Sequence, residues 1–240
     1  MDEHMASLVT KRFQEWSKGL NPRQSLISVF EHIRDIPYSL AVPMTDPTTA
    51  PEQVLELGKG SCGPKHYLLA EMYRRLGFDV VYATFSFLWD DPDLQYPPEL
   101  RRLATGLPVS YHLACRVKIA NRWVLVDATW DRLLNRAGFP VNKQWDGRSD
   151  TRCAVKPLRS APRAGFYRTA TAEPRQSDRK PEFRSLDGEK DHENAMERVR
   201  FCDKKTAKQT PDKIEQTHRF HREFEAWLAR VRDKGEGETN

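Results

Sequence analysis

The sequence predicts an α+β fold in which N-terminal helices pack on an antiparallel sheet and one further helix follows at the C-terminal end. Three observations point there. Apolar residues at helical spacing fill the first 40 positions and return after position 62. Runs rich in β-branched and aromatic residues cover 79–88, 111–119 and 123–130, the last two separated only by Ala120-Asn121-Arg122. An apolar stripe of Ile214, Phe220, Phe224, Trp227, Leu228 and Val231 then appears in an otherwise polar C-terminal third, and such a stripe needs a surface to dock on.

Taken in order, Leu8, Phe13, Trp16 and Leu20 outline a first helix that Asn21-Pro22 interrupts. Leu26, Val29, Phe30 and Ile33 share one face of a second, ended by Pro37. Pro, Thr and Asp residues mark 41–51 as a loop, and Pro51 suits the first turn of a short helix carrying Val54, Leu55 and Leu57. Gly58-Lys59-Gly60-Ser61-Cys62-Gly63-Pro64 then approaches a helix whose Leu68, Leu69, Met72, Tyr73 and Leu76 recur at helical spacing, with Gly77 as its stop. Asp79–Leu88 reads as a strand and 89–108 as an acidic, Pro-rich loop with one helical turn near Leu100–Leu103. Tyr111–Ile119 and Trp123–Trp130 read as a hairpin. From 151 to 190 no period survives. The division is a folded body at 1–150, a polar, irregular extension at 151–210, a docking helix at 211–232 and a disordered tail at 233–240.

With 240 residues, 38% hydrophobic and 30% charged, the chain can bury one sizeable core. Its net charge is +5, yet Lys and Arg balance Asp and Glu at 18 each through residue 150, so the whole excess lies in the last 90 residues. A solvated appendage, useful for solubility or for recruiting an acidic partner, accounts for that asymmetry better than nucleic-acid binding does. Between 151 and 200 only Phe166, Tyr167 and Phe183 could stack on bases. No stretch approaches the roughly 20 apolar residues of a membrane span, and Met1–Ser7 lacks a basic segment followed by an apolar one. The expectation is a cytoplasmic protein that binds neither nucleic acid nor membrane. The four cysteines, Cys62, Cys115, Cys153 and Cys202, are too few and too far apart for a disulfide framework, and none forms a Cys-x-x-Cys pair.

Cys62 has a chemical context. A nucleophilic thiol works as thiolate, which a helix N-terminus and a nearby imidazole both favour. Glycines at 58, 60 and 63 leave room for a substrate backbone beside the sulfur. The hairpin supplies the imidazole. With a two-residue Ala120-Asn121 loop, Ile119 pairs with Arg122, Ala114 faces Asp127 and His112 faces Thr129. His112 and Asp127 are then diagonal neighbours on one face, with roughly 7–8 Å between their backbones. The same parity sends Cys115 to the other face, into the core with Leu113, Val117, Val124 and Val126. A carboxylate after Trp123-Val124-Leu125-Val126 is costly unless paired. Pairing it with one ring nitrogen of His112 leaves the other to take the Cys62 proton. His66, one turn after Cys62, reads as a surface or core histidine, because a Cys/His pair without further ligands makes a poor zinc site. His218 and His221 have no acidic or thiol partner in register.

The order Cys, His, Asp resembles the transglutaminase-like superfamily, whose papain-like core sets a helix-borne cysteine against a sheet-borne His and Asp. Leu57-Gly58-Lys59-Gly60-Ser61-Cys62-Gly63, Tyr111-His112-Leu113-Ala114 and Arg122-Trp123-Val124-Leu125-Val126-Asp127-Ala128-Thr129-Trp130 carry the likeness, which covers about residues 25–150. The resemblance implies acyl transfer through a thioester, with residues 1–150 as the catalytic domain. Cys62 attacks an amide, isopeptide or ester carbonyl, His112 shuttles the proton, Asp127 orients His112, and water or an amine resolves the acyl-enzyme. One oxyanion donor is the Cys62 N–H. Family members often supply a second from an upstream Trp, Gln or Tyr; no Trp lies between Trp16 and Trp89, so Tyr38 is the candidate. Ser61, Gly63 and Trp130 complete the oxyanion and substrate-binding set, with Trp145 and Asp146 as further cleft walls. The expected partner is a protein or peptide substrate, with a small amine as an alternative acceptor. No cofactor and no metal is expected, since no Asp/Asn/Gly run resembles a calcium loop. Hydrolysis ranks slightly ahead of amine transfer, and the rival reading is a catalytically silent fold that serves as a protein-binding module.

Overall fold

A computed structural model describes residues 7–158, 189–207 and 209–236. Helix α1 (Leu8–Ser17) opens at Ser7, whose hydroxyl accepts from the Thr10 N–H. Helix α2 (Pro22–Asp35) opens with a reciprocal cap: Asn21 and Gln24 each accept the other's backbone N–H, and Pro22 fills a position where no N–H is needed. Helix α3 (Ala50–Leu57) stops at Gly58, whose φ of +61° is the left-handed conformation that ends helices. Helix α4 (Cys62–Arg75) and strand β1 (Val80–Phe87) follow. Next come α5 (Pro98–Ala104), β2 (Ser110–Ile119), β3 (Arg122–Val126) and a 3-10 turn (Arg132–Ala137), then β4 (Glu189–His192), α6 (Ala195–Thr206) and α7 (Pro211–Glu236).

The strands form one antiparallel sheet in the order β3-β2-β1-β4. Ile119 pairs with Arg122 across a two-residue loop, and Ala120 and Asn121 both hold positive φ (47° and 62°), the twist that a tight hairpin needs. Side chains then alternate as the register demands. Leu113, Cys115, Val117, Val124 and Val126 join residues of α2 and α4 in the principal core. Ala83, Phe85, Ala114 and Leu125 cluster separately.

Three expectations need correction. The second hairpin strand ends at Val126 and does not reach Trp130. The Asp127 N–H donates to Thr151 Oγ1 (2.8 Å), the Ala128 N–H to His66 Nε2 (3.0 Å) and the Thr129 N–H to Asp127 Oδ1 (3.2 Å). Three successive backbone donors turned to side chains cannot continue a ladder. The irregular extension at 151–210 is also ordered wherever it is described. The Thr151 N–H donates to Leu125 O at 2.9 Å and the Leu158 N–H to Ser86 O at 2.8 Å, and Ala154 is buried. Strand β4 pairs with β1 at the sheet edge, and α6 covers 195–206. The Glu-Lys-Asp-His run of β4 has no apolar alternation to betray it, because backbone pairing and the ion pairs of Arg116 with Glu189 and Asp191 hold it. Residues 159–188 of that extension lie outside the described residues.

Helix α7 packs Phe220, Phe224, Trp227 and Leu228 against an aromatic cluster that includes Trp89, Tyr96 and Phe139. Polar clamps fix its register: Glu225 accepts from the Ser39 hydroxyl and the Leu40 N–H, and Arg232 pairs with Asp131 at 2.6 Å. The helix continues to Glu236, so 233–236 are not a disordered tail, and 237–240 lie outside the described residues. Among the described residues, no helix is long and apolar enough to cross a membrane.

Candidate active site

The approach to Cys62 is held by a parallel bridge between Tyr38 and Gly60, in which the Gly60 N–H donates to Pro37 O (3.1 Å) and the Ser39 N–H to Gly60 O (3.2 Å). A Cβ on Gly60 would lie 2.6 Å from Val54 Cγ2. Close packing on α3 therefore explains Gly60, and the helix stop explains Gly58; of the three glycines, Gly63 borders the cleft. Cys62 is the first residue of α4, where the N–H groups of Cys62 and Gly63 have no intrahelical acceptor and Pro64 has no N–H. Ser61 precedes them in an extended conformation, and its hydroxyl makes no capping bond. Two backbone donors and the positive end of the helix dipole thus sit at the thiol.

His112 Nε2 donates to Asp127 Oδ2 at 2.8 Å, which leaves Nδ1 as the ring nitrogen available to the Cys62 thiol in the same cleft. Asp127 is fully engaged. Oδ2 also accepts from the Ala154 N–H (2.7 Å), and Oδ1 from the Thr129 N–H (3.2 Å) and hydroxyl (2.7 Å). Burial pushes this carboxyl up, but the charge and hydrogen bond of His112 and the hydrogen bond of Thr129 hold it well below the usual carboxylate range. Burial works against protonated His112, yet Asp127 and then Cys62 raise its pKa to about 10. Burial likewise opposes a Cys62 thiolate. The hydrogen bond and charge of His112, aided by Arg198 and a backbone contact to Leu113, outweigh it and lower the thiol pKa. His112 thus favours the anionic form of Cys62, and Cys62 the protonated form of His112. Burial raises the other three cysteines.

Two residues of α4 within one turn of Cys62 carry more of this architecture than their sequence context suggests. Lys65 is completely buried, and its ammonium donates to Arg34 O (2.9 Å), Ile36 O (2.7 Å) and Thr129 O (2.7 Å), three protons for three carbonyls. Burial pulls its pKa down to about 7 against the pull of Asp131, Asp35 and Asp127. His66 donates from Nδ1 to Cys62 O (2.8 Å) and accepts the Ala128 N–H at Nε2 (3.0 Å), so its tautomer is settled and it is neutral. Burial lowers it to about 4. With both nitrogens engaged, His66 is a core histidine and has none left for zinc. The available signal was a Lys-His pair inside an otherwise apolar helix face.

Cys62 and His112 open on a cleft of about 370 Å³ that Tyr38, Ser61, Gly63 and Trp130 also line, while Asp127 lies buried behind it. Tyr38 lies against Trp130 with ring centroids 4.4 Å apart. Burial holds its hydroxyl well above the ordinary value, and that hydroxyl bonds to no described residue. Trp130 donates its Nε1–H to Ala154 O (2.7 Å), which leaves it a wall. Trp145 packs in the principal core against Phe30, and Asp146 caps its own loop through the Arg148 and Ser149 N–H groups; neither walls the cleft. The far wall comes from α6 and α7, through Arg198, Val199, Cys202 and His221. A second cleft of about 460 Å³ shares Phe87, Trp89, Trp130 and Val155 with the first. His112, Asp127 and Cys153 bring one donor atom each within 4.8 Å of one another. Asp127 already accepts four hydrogen bonds and the Cys153 thiol is raised by burial, so this trio offers a metal little.

Residues 13–128 match the sequence model of the Transglutaminase-like superfamily. No curated protein matches the chain. One solved structure similar to it is the crystal structure of "a Putative Cysteine Protease from Cytophaga hutchinsonii", at 19% identity and a TM-score of 0.37. The likeness covers 53% of this chain and 38% of that one, so the chain spans less than half of that protein's length. The matched segment runs from α1 through β3 and holds Cys62, His112 and Asp127, so it is over the part of the chain that carries these three residues that the sequence is similar to the transglutaminase-like superfamily.

Proposed function

We propose that this protein is a cysteine-dependent acyl-transfer enzyme that cleaves amide or isopeptide bonds of a peptide or protein by way of a thioester. The observation that carries the reading is that Cys62, at a helix N-terminus, and His112, hydrogen-bonded to the buried Asp127, line one cleft, where His112 lowers the pKa of the thiol. Cys62 attacks the carbonyl carbon, and the N–H groups of Cys62 and Gly63 receive the developing oxyanion, with the Tyr38 hydroxyl as a third donor. His112 passes its proton to the leaving amine. Water, deprotonated by the same ring, then attacks the thioester and releases the acid; an amine at that step would give transfer in place of hydrolysis. Asp127 keeps the ring oriented.

The first test is thiol reactivity. Iodoacetamide at pH 6–7 should label Cys62 ahead of Cys115, Cys153 and Cys202, and His112→Ala should remove the preference. An acyl-donor library turned over by the wild type and not by Cys62→Ala then identifies the substrate. Equal labelling of all four cysteines in folded protein contradicts the enzyme reading and leaves a binding module.

A further inference from the structure

Arg198 in α6 lies in the wall of the Cys62 cleft. Its terminal nitrogens make one long hydrogen bond each, to the Tyr67 hydroxyl (3.3 Å) and to Tyr111 O (3.4 Å), and its buried Nε has no acceptor among the described residues. Three of the roughly five N–H bonds a guanidinium carries are therefore unused, and no described carboxylate pairs with it. Asp203 lines the same cleft but forms no ion pair with Arg198. Other partly or fully buried arginines of this protein are matched: Arg34 with Asp35, Arg116 with Glu189 and Arg232 with Asp131. Its charge favours the anionic form of Cys62, but no described carboxylate answers it, and a cation so placed in a half-enclosed site is costly unless a further anion enters; the planar fork of arginine fits a carboxylate with two parallel bonds.

We propose that Arg198 is a substrate-binding residue that recognises a carboxylate next to the scissile carbonyl, so that the protein prefers acyl donors with a free acidic group there. This rests on the acyl-transfer reading above. The carboxylate has two chemical sources, the terminal carboxylate of a short peptide on the leaving side or an acidic side chain on the acyl side.

Alkylation of Cys62 in the full-length protein tests it without a known substrate. One reagent pair is bromoacetylglycine and bromoacetylglycinamide, which differ only in a terminal carboxylate; the other is the chloromethyl ketones of N-acetylglutamate and N-acetylglutamine, which differ only in the side chain. In the wild type the acid should react at least tenfold faster than its amide in one of the pairs, and that pair names the source. Arg198→Gln should abolish the preference and Arg198→Lys keep part of it, since lysine retains the charge but not the fork. The pH profile of iodoacetamide alkylation, run on each variant, separates this from a mere effect of Arg198 on the thiolate. Acid-to-amide ratios that Arg198→Gln leaves unchanged, with iodoacetamide still selective for Cys62, overturn this inference alone. Loss of Cys62 selectivity in the wild type overturns the enzyme reading itself.

Discussion

His66 accepts the Ala128 N–H at 3.0 Å, and the opposite nitrogen of the same ring donates to Cys62 O at 2.8 Å. One imidazole therefore ties the first turn of α4 to the chain immediately after Asp127, and it fixes the spacing of Cys62 and Asp127 through hydrogen bonds to backbone groups alone.

That contact predicts an acid-side loss of stability. The unfolded imidazole binds a proton near pH 6.5 but the folded one only near 4, so between those values the unfolded state holds more protons and stability falls as pH drops. The contribution is on the order of 3 kcal/mol across that window. His112 acts in the opposite sense, since its pKa is raised to about 10: its stabilisation is complete below pH 6.5 and is lost as pH rises through 10. Urea denaturation of His66→Gln between pH 7 and 4 should show a shallower slope than the wild type. An identical slope would mean that His66 is not held neutral.

Lys65→Met strips the donor from Arg34 O, Ile36 O and Thr129 O at once. Leaving buried carbonyls unpaired should cost roughly 3–5 kcal/mol. Thermal and chemical midpoints check this, and a variant as stable as the wild type contradicts the assignment of Lys65 as the ammonium that joins α2, α4 and the chain after Asp127.

Asp127→Asn offers one oxygen and one NH2 where four donors converge, from His112, Ala154 and Thr129. At least one donor then meets a donor. The His112 ring loses its orientation, and turnover of any accepted acyl donor should fall by roughly 10²–10⁴. Cys62 alkylation at pH 7 should slow with it, while retained wild-type reactivity would assign Asp127 a purely structural part.

Gly60→Ala drives a methyl into Val54 Cγ2 one residue before Ser61. The overpacking should cost about 1–3 kcal/mol. Val54→Ala opens the space again, so the double variant should be more stable than the sum of the two single changes predicts, by about 1 kcal/mol. Strict additivity in denaturation would place the strain elsewhere.

Much of the site was legible before folding. The length of the Ala120-Asn121 loop is enough to set the β2–β3 register, and parity then places His112 with Asp127 and Cys115 in the core. The glycine-rich approach and the apolar run after it likewise place Cys62 at a helix start, because both signals act within a few residues of the chain. Tertiary structure alone decided the rest. Thr151 and Ala154, which receive and orient Asp127, lie 24 and 27 residues away in a stretch without periodicity. Arg198 and His221 complete the cleft from α6 and α7, in the segment whose charge had marked it as an appendage. Lys65 reads as a surface cation until three carbonyls from distant elements converge on it. Local patterning reports which face of an element is apolar; it carries no information on which distant backbone groups will need a donor once those faces have packed.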